Sequence, residues 1–127
     1  MSHVVLTGAG GFLGWHTRAA LVADGRKARS LSMGERFEME PAAQALGGSS
    51  RVIHLAGVNR ADEDEVRNGN VRFAQQLAEA LVRAAEPPKT VVYANSTQAE
   101  NGTVYGDAKA RAGGILEAAA ERIGADF

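Results

Sequence analysis

The run Val4-Val5-Leu6-Thr7-Gly8-Ala9-Gly10-Gly11-Phe12-Leu13-Gly14 constrains this chain more than any other segment. It reads as an apolar strand entering a glycine-rich turn, and the helix-compatible residues Trp15 to Ala23 follow it. A strand-to-helix junction of this kind lets backbone N–H groups at the helix N-terminus meet a phosphate. The common G-x-G-x-x-G spacing would need a glycine at position 13, which is Leu. The spacing that fits is T-G-x-x-G-x-x-G, with Gly8, Gly11 and Gly14 serving a positive-φ turn, backbone approach to a pyrophosphate, and close helix-to-strand packing. The N–H groups near Phe12 and Leu13 would complete the cradle. The bland alternative is a flexible glycine loop between two core elements.

A chain of 127 residues, 45% of them hydrophobic, suits one domain around one core. Its formal charge of -1, with acids and bases interspersed, leaves no broad electrostatic footprint for nucleic acid or an anionic membrane. The absence of cysteine excludes disulfides and thiolate metal sites and fits a reducing compartment. The short apolar stretch at the start is already used as strand and turn, so no signal peptide is read. No run approaches the ~18 apolar residues of a membrane span. These features point to a cytoplasmic protein.

Apolar runs and amphipathic segments alternate along the chain. A strand over His3 to Thr7 leads to a helix from Phe12 to Ala23, stopped by Asp24-Gly25. A short strand follows at Lys27 to Leu31, then a weakly patterned stretch in which Pro41 opens a short helix through Leu46. Arg51 to Ala56 reads as a buried strand, and a polar, acidic loop from Asn59 to Glu65 comes after it. The spacing of Val66, Phe73, Leu77, Ala80, Leu81 and Ala84 predicts a long helix from Glu65 to Glu86, halted by Pro87-Pro88. Thr90 to Ala94 is the next strand. A last helix runs from Tyr105 to Ile123 with Gly124 as its cap. Strands alternating with helices argue for an α/β, Rossmann-like parallel sheet with helices on both faces and ligands at the carboxyl ends of the strands.

The second constellation is a Tyr-x-x-x-Lys pair, Tyr105 and Lys109, preceded by Ser96 just beyond the Thr90 to Ala94 strand. Residues i and i+4 share a helix face, so the ammonium lies near the phenol. A phenol ionises near pH ~10, and a neighbouring cation favours the phenolate, which suits it to proton transfer near neutral pH. Ser96 could hold a carbonyl or hydroxyl oxygen within reach. The plain alternative is a solvated surface pair and a serine in a turn. His54, inside an apolar strand, reads as a hydrogen-bonded core residue, and no histidine has neighbours at metal-ligand spacing, so no metal is expected.

In the order glycine turn, His54-Leu55-Ala56-Gly57, Gly69-Asn70-Val71, then Ser96, Tyr105 and Lys109, the chain resembles the extended short-chain dehydrogenase/reductase family of NAD(P)-dependent nucleotide-sugar epimerases, dehydratases and reductases. Within it, His54 to Arg60 and Ser96-Thr97-Gln98-Ala99 are similar to local signatures of a capsular-polysaccharide reductase subgroup. The resemblance implies Ser96, Tyr105 and Lys109 as the catalytic residues, with Lys109 also on the nicotinamide ribose. It implies a cofactor site of Gly8, Gly11, Phe12, Leu13, Gly14, Ser32, Arg36, Leu55, Ala56, Gly57 and Asn70. The implied substrate is a 4-keto nucleotide sugar.

NAD-binding members place an acid at the end of the second strand. Here that position falls near Ser32, with Arg29 and Arg36 close in sequence, which leans the expectation toward NADP(H) over NAD(H). Family members continue past the last helix into another strand and a substrate-binding region. Residues 1–127 are therefore expected to hold an incomplete cofactor-binding domain, truncated before the substrate lobe, with four strands and an unpaired edge at Thr90 to Ala94. A homodimer through the two long helices is a further family-based expectation. The favoured function is a nucleotide-sugar oxidoreductase or epimerase. A non-catalytic dinucleotide-binding or regulatory module is the rival, and an empty structural domain the third class.

Overall fold

The computed structural model describes residues 2–58, 61–96 and 101–127. Four strands, β1 (Val4–Thr7), β2 (Ala28–Leu31), β3 (Arg51–His54) and β4 (Thr90–Tyr93), form one sheet in the order β2-β1-β3-β4. All three pairings are parallel. Four α-helices connect or follow them: α1 (Phe12–Ala23), α2 (Met39–Leu46), α3 (Glu63–Arg83) and α4 (Val104–Ile123), with a 3-10 turn at Gly34–Arg36. The expected α/β, Rossmann-like parallel sheet is therefore present.

Topology decides which face each helix covers. From β1 the chain moves outward to β2, then reverses past β1 to β3 and on to β4. Right-handed crossovers in opposite directions lie on opposite faces of a sheet. Accordingly α2, α3 and α4 share one face, where Val5, Val52 and Val91 of the strands meet Leu46, Leu77, Leu81 and Leu116 of the helices. On the other face, α1 buries only Gly14 and leaves Phe12, Trp15 and Val22 exposed. The reversal between β1 and β3 creates the crevice in which open α/β sheets bind ligands.

Helix boundaries follow local chemistry that composition hides. The long helix begins at Glu63, ahead of the expected Glu65, because Asp62 caps it by accepting a hydrogen bond from the Glu65 N–H at 2.9 Å. It ends at Arg83, before the expected Glu86, with Ala84 already extended. Pro41 lies within the first turn of α2, where its missing N–H is not needed, and Met39 starts the helix. Thr103 caps α4, and Gly124 closes it in the left-handed conformation as expected.

The strand expected over Arg51 to Ala56 leaves the ladder after His54, for a reason given below. The expected bare edge at β4 is partly covered. Asp126 bridges to Thr90, with the Val91 N–H donating to the Asp126 carbonyl at 2.8 Å and the Asp126 N–H to the Lys89 carbonyl at 2.9 Å.

Candidate functional site

The glycines of the first turn are required for different reasons. Gly8 adopts φ +69°, and a Cβ there would stand 2.6 Å from the Ala56 amide nitrogen. A Cβ on Gly14 would overlap the Gly8 carbonyl oxygen. Those two glycines are demanded by the fold itself. Gly11 and Gly10 are not, because a Cβ on Gly11 would meet nothing nearer than the Gly8 oxygen at 3.6 Å and one on Gly10 would meet nothing within 4 Å. Both face open space. Beside them lies a cavity of about 570 Å³, lined by Gly8, Gly10, Gly11, Arg18, Ser32, Arg36, Leu55, Ala56 and Gly57 among others.

Helix α1 begins here without a side-chain cap and without an acid in its first turn. Both α3 and α4 have a capping side chain and first-turn acids. An uncapped N-terminus keeps its N–H groups and the positive end of its dipole available to an anion. With Arg18 and Arg36 on the wall, the cavity suits a diphosphate, and the open faces of Gly10 and Gly11 leave room for one.

Beneath the crevice lies a largely buried polar row. Thr7 pairs with His54 and His54 with Tyr93 in the parallel register, so the last residues of β1, β3 and β4 point to one face. The Thr7 hydroxyl accepts from the Leu55 N–H at 3.1 Å and the Ala56 N–H at 3.2 Å. The Leu55 N–H is shared with the Thr7 carbonyl at 3.3 Å, and with Ala56 turned to the hydroxyl the ladder ends there, leaving Leu55, Ala56 and Gly57 along the cavity wall. With its two lone pairs used, the hydroxyl donates its hydrogen to His54 Nδ1 at 2.7 Å. His54 therefore carries its proton on Nε2. Burial, aided by the Lys109 charge, pushes the His54 pKa from 6.5 down to about 4 and keeps the ring neutral. The core reading of this histidine from sequence agrees with that placement.

Asn70 is buried on α3 and anchors the same loop. Its Oδ1 accepts from the Val58 N–H at 3.1 Å, and its amide donates to the carbonyls of Val58 at 2.8 Å and Val66 at 2.7 Å. Both amide hydrogens are committed to backbone, so its effect on the cavity is exerted through the loop. A Cβ on Gly57 would lie 2.9 Å from Asn70 Oδ1, which makes glycine the residue that lets loop and helix approach.

Lys109, on α4, is almost fully buried, and burial lowers the pKa of its ammonium. Its Nζ lies 4.5 Å from the centroid of the Tyr93 ring and 3.9 Å from the position a Gly57 Cβ would take. Tyr105 stands one helical turn earlier on α4, half-buried, and its charge contributes, after burial, to a Tyr93 pKa raised well above the usual phenol range. Ser96 lies just past β4, its N–H donating to Asn95 Oδ1 at 2.8 Å. The signature residues Asn59, Arg60 and 97–99 fall outside the described residues. Tyr93, Thr7 and Arg18 were not expected from sequence as site residues. The signal for the first two was their shared position as last residue of a strand.

No family model and no curated protein matches the chain. Solved structures do. MoeE5 in complex with UDP-glucose and NAD matches over 98% of this chain and 51% of its own, at 26% identity and a TM-score of 0.81. CapF, a capsular polysaccharide assembling protein from Staphylococcus aureus, matches over 98% of this chain and 33% of its own, at 28% identity and a TM-score of 0.73. Its fold is that of the extended short-chain dehydrogenases/reductases. UDP-N-acetylglucosamine 4-epimerase from Bacillus cereus has a similar fold, matching over 98% of this chain and 57% of the epimerase, at 20% identity and a TM-score of 0.79. The chain thus spans about half the length of MoeE5 and a third of CapF.

The comparison overturns the expected preference for NADP(H). MoeE5 holds NAD with either UDP-glucose or UDP-glucuronic acid, which favours NAD for a short-chain dehydrogenase/reductase fold of this type. The physical reason is that the basic residues do not discriminate. Arg36 shares its cavity with the uncapped helix terminus, where a diphosphate already needs cations, and Arg29 lines a different groove, between α1 and β2. A cation near Ser32 is therefore no marker of a ribose phosphate. Titration of the protein with NADH and NADPH, followed by nicotinamide fluorescence, should show tighter binding of NADH. Tighter binding of NADPH would restore the overturned expectation.

Proposed function

We propose that this chain is the cofactor-binding part of an NAD-dependent enzyme that reduces or epimerises a 4-keto nucleotide sugar. The observation that carries the reading is the uncapped terminus of α1 over an open glycine turn, at the same sheet end as Lys109 and Tyr105. The diphosphate would lie against the N–H groups of Phe12 and Leu13, with Arg18 and Arg36 on its flank. When bound, the nicotinamide supplies or accepts a hydride.

The remaining work falls to side chains of this protein. Tyr105 would deliver a proton to the substrate oxygen in one direction and remove it in the other. Lys109 would hydrogen-bond the ribose hydroxyls through an ammonium that already stands beside Gly57. Ser96 would orient the substrate oxygen. Tyr93 is a poor rival for the proton-transfer role, because its hydroxyl donates to the Lys109 carbonyl at 2.9 Å and burial raises its pKa. The nucleotide-sugar partner is inferred from MoeE5, whose complexes contain UDP-glucose and UDP-glucuronic acid. A homodimer through α3 and α4 belongs to the same proposal, supported by the outer groove that Ala78, Val82 and Ile115 line between them. A cytoplasmic site is favoured by the cysteine-free composition, and no helix among the described residues is long and apolar enough to cross a membrane.

The test is turnover of a 4-keto nucleotide sugar with NADH. Tyr105→Phe should lower kcat by about 10²–10⁴-fold while NADH binding stays unchanged. Because this chain spans about half the length of MoeE5, the turnover test is read on the full-length protein, where NADH binding without turnover would establish the non-catalytic module instead.

A further inference from the structure

The register row ending in Tyr93 does more than fill space beneath the crevice. The Tyr93 ring stacks on His54 with centroids 5.9 Å apart and planes 20° apart. On the helix side, Gly113 lets the ring lie against α4, since a Cβ there would come within 3.2 Å of Tyr93 Cε2. The Tyr93 hydroxyl ties down the Lys109 carbonyl, and the Lys109 ammonium rests over the ring. Backbone and side chain of one lysine are thus gripped by one tyrosine.

We infer that Tyr93 is a positioning residue whose ring, backed by His54, holds the Lys109 ammonium at the Gly57 wall of the cavity. The inference rests on the reading of Lys109 as the group that meets the cofactor ribose. A lysine side chain has four rotatable carbons and loses much freedom when fixed. Burial also works against its charge. An aromatic face beneath the ammonium counters both effects, because the ring quadrupole attracts a desolvated cation at this range. His54 remains neutral and so adds no repulsion on the far side of the ring. Two titratable groups, His54 and Tyr105, interact with this lysine–tyrosine pair among the described residues.

The test uses the full chain with isotopically labelled lysine, in which exposed Lys27 and Lys89 serve as internal references. In the parent protein and in Tyr93→Phe, the Lys109 ε-methylene resonances should be displaced upfield by the ring. In Tyr93→Leu they should return to the reference position and the ammonium should titrate at lower pH. NADH binding should weaken about fivefold in Tyr93→Leu and remain within about twofold of the parent in Tyr93→Phe. Lys109 resonances that coincide with those of Lys27 and Lys89 in the parent protein would overturn the inference, as would parent-like NADH affinity in a folded Tyr93→Leu protein. Equal damage from Tyr93→Phe would assign the effect to the hydroxyl and also defeat it. If Tyr93→Leu does not fold, the parent resonances decide. A parent protein that binds no NADH would refute the functional proposal, while the resonances still judge the tyrosine–lysine contact.

Discussion

Gly14→Ala is expected to lose dinucleotide binding and to destabilise the protein by about 3 kcal/mol, the upper range for forcing a methyl into a packed site. The added carbon would overlap the Gly8 carbonyl oxygen and press on Ala9, so α1 cannot keep its present distance from the turn. Backbone on both sides of the clash leaves no side chain to swing away. Gly11→Ala isolates the second half of the effect. Its Cβ meets only the Gly8 oxygen at 3.6 Å, an ordinary contact, so folding should survive while the face offered to the diphosphate is blocked. Chemical denaturation together with NADH titration checks both variants. A Gly14→Ala protein of parental stability would contradict the packing described for the turn, and a Gly11→Ala protein of parental affinity would remove the diphosphate from that face.

Acid should destabilise the fold through His54 well above the pH at which carboxylates titrate. The ring has an ordinary pKa of 6.5 when unfolded and about 4 when folded, so the unfolded chain binds the extra proton between those values. The stability contributed by keeping the ring neutral is fully present above pH 6.5 and is lost progressively as the pH falls toward about 4. Its full extent is about 3 kcal/mol for a shift of this size. Urea denaturation at pH 7.5 and pH 4.5 measures the difference, and His54→Gln provides the control, since a side chain that does not titrate should flatten the profile. An unchanged slope in that variant would assign the acid sensitivity to other groups.

Much of the architecture was legible because it is written in local periodicity. The T-G-x-x-G-x-x-G turn, the alternation of strands and helices, and the glycine stops at Gly25 and Gly124 all act over a few residues. What stayed hidden depends on contacts between distant residues. Tyr93 looked like a strand residue in an apolar run, and only the alignment Thr7–His54–Tyr93 across three strands places it beneath a lysine of α4. Asn70 was legible by resemblance as a site residue, but its hydrogen bonds go to the loop backbone at Val58, a destination no spacing rule encodes. The cofactor preference misled for another reason. Arginines near Ser32 carry charge without direction, and a diphosphate and a ribose phosphate attract them alike.

The unequal covering of the sheet has a consequence for how the molecule opens. Helices α3 and α4 are locked together over a common core, whereas α1 buries a single glycine and β2 is largely exposed. Amide hydrogens in α1 and β2 should therefore exchange with solvent through small local openings, long before those of α3 and α4. The segment assigned to grip the diphosphate is then less protected than the paired helices α3 and α4. A bound dinucleotide would slow exchange there first and so reveal its own footprint in the α1 amides.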